Sequence, residues 1–175
     1  YRDWYRTDLE AIAIVGDFDV AKMEQKVKEM FSSIPAIENP QERPFYAIPE
    51  HDEMYFAVIT DKEAQRSTVS ITTILPEKSA EEKNTHAYLK EALIANFYNS
   101  MIGSRINELM QKGDPPFINA GIGFGGLVRG YNSYNITAIA KPNQEDVALE
   151  AVLTENEKIK RFGFTESELE RVKTN

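Results

Sequence analysis

Phe117-Ile118-Asn119-Ala120-Gly121-Ile122-Gly123-Phe124-Gly125-Gly126 is the stretch on which the fold turns. Its glycines satisfy G-x-G-x-x-G, and Glu145 and Asp146 follow at about the spacing of a ribose-binding carboxylate. A dinucleotide loop needs a strand before it and a helix N-terminus directly after it, because the helix amides and dipole hold the pyrophosphate. No helix N-terminus follows here. The glycines fall inside a strand pattern, and Leu127-Val128-Arg129-Gly130-Tyr131 leads through a turn into a second strand pattern, Ser133 to Ala140. The stretch therefore reads as half of a β-hairpin, with glycines that permit close packing or a bulge. That reading replaces a doubly wound parallel sheet with an antiparallel one.

Outward from this hairpin the pattern is consistent. Glu145 to Phe162 carries Val147, Leu149, Val152, Leu153 and Ile159 on one side and reads as a helix, stopped at Gly163. Thr165-Glu166-Ser167-Glu168 opens a last helix as a capping box. Upstream, Ser79-Ala80-Glu81-Glu82 is another capping box. It begins a long helix expected to run to about Gln111, with Gly103 as its weak point and Gly113-Asp114-Pro115-Pro116 as its stop.

Met54 to Thr60 and Thr68 to Leu75 read as strands joined by the polar connector Asp61 to Ser67. Pro35 to Pro49 is a loop with prolines at 35, 40, 44 and 49. Val20 to Ser32 is an amphipathic helix that Asp17 or Asp19 can cap. Leu9 to Val15, with Ile12, Ile14 and Val15, reads as a strand ended by Gly16. The order β-α-β-β-α-β-β-α-α predicts an α+β fold: a mostly antiparallel sheet with helices packed on one face.

The chain has 175 residues, which fits a single domain spanning residues 1–175. Its formal net charge of −8 disfavours nucleic acid and anionic membrane surfaces as partners, since both need a basic face. The absence of cysteine removes disulfides, thiolate metal sites and cysteine nucleophiles. No apolar run is long enough for a membrane span, so no membrane insertion is expected. The chain begins at Tyr1 without Met and stops at Asn175, both inside helix-like patterns, so an excised piece of a longer polypeptide is expected.

Few residues carry candidate chemistry. The two histidines are His51, beside Asp52 and Glu53 in the proline-rich loop, and His86 on the long helix near Glu82 and Glu91. Neither belongs to H-E-x-x-H or H-x-x-E-H, in which two histidines on one helical face grip zinc and a glutamate activates water. There is no G-x-S-x-G nucleophile elbow. Arg2, Tyr5, Arg6, Arg105, Arg129, Tyr131 and Tyr134 suit structural roles at helix ends and sheet surfaces, or contacts to a substrate backbone.

Several segments together resemble the pitrilysin/insulinase (M16) family of zinc metallopeptidases. They are Trp4-Tyr5-Arg6-Thr7-Asp8-Leu9 followed by Val15-Gly16-Asp17-Phe18-Asp19; Met30-Phe31 before the proline loop; Ser104-Arg105-Ile106-Asn107-Glu108-Leu109; Asp114-Pro115-Pro116-Phe117; and Gly163-Phe164-Thr165-Glu166-Ser167-Glu168-Leu169. The Asp-Pro-Pro-Phe segment is most similar to bacterial single-chain members of the PQQ-operon-associated kind. The family repeats an α+β domain four times in two halves, and its first domain carries the inverted zinc motif.

The resemblance implies that this chain is the second domain, non-catalytic and without zinc ligands, cofactor-binding residues or catalytic residues of its own. Zinc is then expected in the missing upstream domain. The implied partners are the remaining domains of the same polypeptide and an unfolded peptide substrate, and the implied location is the bacterial periplasm or cell envelope. An inactive scaffold or interaction domain of the same fold is the alternative. In the family's fourth domain an Arg on the long helix and a Tyr at the next strand help bind the substrate carbonyl. Arg105 stands at a similar place, but Phe117 stands near the Tyr position and has no hydroxyl. Arg105 is therefore expected to be structural or an interdomain contact.

Overall fold

The computed structural model describes residues 3–174. The chain falls into two compact units, Tyr1–Ile48 and Pro49–Asn175.

In the first unit a 3-10 turn, Thr7–Leu9, precedes helix α1, Val20–Phe31. Asp19 is the α1 cap: its carboxylate accepts from the Lys22 amide at 3.1 Å, satisfying a donor that helix geometry leaves free. Arg6 is ion-paired to Asp8 at 3.0 Å, and its guanidinium lies 5.8 Å from the Trp4 ring centroid.

The second unit contains strand β1 (Thr68–Pro76), a one-turn helix α2 (Ala80–Lys83), helix α3 (His86–Met110), strands β2 (Asn119–Val128) and β3 (Tyr131–Ile139), and helices α4 (Glu145–Phe162) and α5 (Glu166–Thr174). The sheet order is β1-β3-β2 and both pairings are antiparallel. Register places Ile71 opposite Ile136 and Ile122 opposite Ile136, so one side-chain row crosses all strands on one face. Ile102 and Ile106 of α3 and Ala148, Val152 and Ile159 of α4 pack with Ile122, Ile136 and Ala138 to form the core. Full burial of an Ile or Phe stabilises by about 1.5–3 kcal/mol. The α+β expectation, with helices packed on a sheet, is met.

Both capping boxes form. Ser79 accepts from the Glu82 amide while the Glu82 carboxylate accepts from the Ser79 amide at 2.9 Å. Thr165 and Glu168 exchange the same pair of bonds, at 3.3 and 2.6 Å.

Three expectations are corrected. The long helix breaks at Asn84 and Thr85, where Thr85 caps α3, and runs unbroken through Gly103. Thr85 accepts from the Tyr88 amide, and this hydroxyl cap restarts the helix. A Cβ at Gly103 would meet nothing within 4 Å, so that glycine marks no close approach. Leu9–Val15 and Met54–Thr60 are not strands: no ladder pairs them among the described residues. β-branched and aromatic residues favour a pleated, half-buried surface, and propensity without a neighbour to pair with makes no strand.

Candidate functional site

The polar chemistry of the second unit gathers where α3, α4 and α5 meet over the sheet. Arg105 comes from the C-terminal part of α3. Its Nε donates to Glu168 Oε1 at 2.5 Å and a terminal nitrogen donates to Glu168 Oε2 at 2.9 Å. The same terminal nitrogen donates to the Gly163 carbonyl at 3.1 Å, and the other lies 3.6 Å from Glu155 Oε1. The guanidinium sits 4.9 Å from the Phe164 ring centroid. Five fixed donors in one plane suit this fork-on-fork geometry, which an ammonium could not reproduce.

Local sequence sets the partners. Gly163 ends α4 at φ 68°, a conformation that favours glycine, and turns the chain so that α5 starts under Arg105. Glu168 is the third residue of α5 and also accepts from the Thr165 amide at 2.6 Å and the Thr165 hydroxyl at 2.8 Å. The Arg105 guanidinium, with support from Thr165, holds the Glu168 carboxyl down at about 2, and its own ionised form is stabilised in return. Glu155 is buried on α4 and is also held by Lys158 at 3.0 Å.

Beside this charged joint lies an aromatic one. Tyr98 packs edge-on against Phe164 at 5.5 Å and Phe124 at 5.4 Å. Its hydroxyl meets the Tyr134 hydroxyl at 2.6 Å, and Tyr134 donates to Asn156 Oδ1 at 2.5 Å. Burial, then the bond to Tyr98, push the Tyr134 phenol above its ordinary value. Next to it Asn99 copies a β-strand residue. Its side-chain carbonyl accepts from the Phe124 amide and its NH2 donates to the Phe124 carbonyl, both at 2.9 Å. A Cβ on Gly123 would stand 2.4 Å from Asn99 Oδ1, so glycine is required there.

The carboxylates of the charged joint are each matched by a cation, so the joint fastens the helices to one another. Sequence patterning found Arg105, Gly163 and the Thr165–Glu168 box, but not Asn99, Asn156 or Glu155. Asn99 and Asn156 lie in helical runs without a motif of their own, and only their contacts with the sheet beneath them give them a purpose.

The other singled-out residues lie apart from the joint. His51 is exposed, with its Nδ1 2.7 Å from the Glu53 carbonyl and its ring against Tyr55. His86 is the exposed first residue of α3. Among the described residues no three His, Asp or Glu side chains are grouped to hold a metal. The glycine-rich stretch is strand β2, hydrogen-bonded to β3 and followed by a turn, which removes the phosphate-loop reading. Phe117 is fully buried in the core cluster. Arg129 lies in the β2–β3 turn, Tyr131 starts β3, Tyr5 is exposed, and Arg2 lies outside the described residues. An open groove of about 610 Å³ follows α4, floored by Leu149, Leu153 and Phe162 and edged by Glu157 and Arg161.

Solved structures of the same shape exist. The periplasmic protease PqqL from Escherichia coli superposes with a TM-score of 0.71 at 21% identity, over 90% of this chain and 17% of that one. A structure of the first half of PqqL gives the same TM-score over 91% of this chain and 33% of that one. The ferredoxin protease FusC, in complex with Arabidopsis ferredoxin, gives a TM-score of 0.62 at 20% identity, over 91% of this chain and 17% of that one. In sequence, the chain is 23% identical over 99% of its length to the probable zinc protease PqqL of Escherichia coli K12. It is 25% identical over 67% of its length to a PQQL-like zinc protease of Arabidopsis thaliana. The chain spans 18% and 12% of the lengths of these two relatives. The family model described as the Peptidase M16 inactive domain matches residues 1–175, and the chain belongs to that family.

Proposed function

We propose that this domain is a non-catalytic wall of a zinc metalloendopeptidase. In this reading it packs on the zinc-carrying domain of the same polypeptide and helps enclose an unfolded peptide substrate. The observation that carries it is the match of the inactive-domain model to the whole chain, in a sequence that aligns end to end with 18% of a probable zinc protease. The likeness to the first half of PqqL supports placing it as the second domain of the N-terminal half. The periplasmic location stated for PqqL supports a periplasmic or envelope location for this protein.

The domain's own contribution is rigidity. Arg105 ties α3 to α5 and Glu155 of α4, so the helical layer behaves as one plate on the sheet. A chamber wall has to hold its shape while a peptide is positioned, because loss of alignment at a reacting bond is costly in rate. Zinc held by the neighbouring domain would supply the activated water, and residues of this chain would touch only the peptide or that domain.

The test is to express the whole protein with and without residues 1–175 and assay cleavage of an unfolded peptide, with zinc content measured in both forms. Zinc retained with cleavage lost supports the wall. Full cleavage without these residues refutes it, and a whole protein that neither binds zinc nor cleaves supports the scaffold reading instead.

A further inference from the structure

We draw no further inference here: the strongest candidate, the open groove of about 610 Å³ that follows α4 over Leu149, Leu153 and Phe162, is an apolar helix face, and nothing in the structure shows what covers it.

Discussion

Arg105 and Glu168 lie 63 positions apart in sequence and meet through two hydrogen bonds, at 2.5 and 2.9 Å. This one contact fixes the start of α5 against the C-terminal part of α3. Its weight follows from burial: the Glu168 side chain is 11% exposed and that of Arg105 19%, so water screens the pair poorly.

Removing one partner should be costly. Arg105→Met leaves Glu168 and Glu155 as buried carboxylates without their shared cation, and should lower stability by about 3–5 kcal/mol in urea unfolding. Arg105→Lys restores a charge but not the fork, and should recover less than half of the loss.

The Glu168 carboxyl sets an acid limit. Its folded value of about 2 lies below its ordinary 4.5, so it contributes stability fully above about pH 4.5. That contribution falls as pH drops from 4.5 through 2. Unfolding midpoints measured across this range should decline, and Glu168→Gln, already less stable at pH 7, should decline less steeply.

Asn99 and Gly123 should couple. Asn99→Ala removes two bonds to the Phe124 backbone and should cost about 1–3 kcal/mol. Gly123→Ala drives a methyl toward Asn99 and should cost more in the parent than in the Asn99→Ala background. A double-mutant cycle by denaturant unfolding should return a coupling of at least about 0.5 kcal/mol.

Phe117 should not accept a hydroxyl. It is fully buried among apolar neighbours, so Phe117→Tyr would strand a polar atom and should destabilise by about 1–3 kcal/mol. Phe117→Ala should cost about 3–5 kcal/mol.

Elements whose signals are local were legible in the sequence. The Ser79 and Thr165 boxes, Gly163 and the Glu145–Phe162 helix emerge where chemistry along the chain places them. The glycine-rich stretch was legible as a strand because no helix follows it. What depends on pairing was not legible. Val15 and Phe56 favour a strand by type, yet no ladder among the described residues includes them. The site was half-readable for the same reason. Arg105 was singled out among the arginines and by the family resemblance, whereas Glu168 read only as a capping-box residue and Glu155 as an ordinary charge until tertiary contacts buried them.

The central claim is that these residues belong to the non-catalytic part of a zinc peptidase. Zinc content after gel filtration, measured in parallel on residues 1–175 and on the whole protein, addresses it most directly. The account predicts a stoichiometric zinc in the whole protein that chelation removes together with peptidase activity, and none in residues 1–175. A stoichiometric zinc in residues 1–175 alone would contradict it.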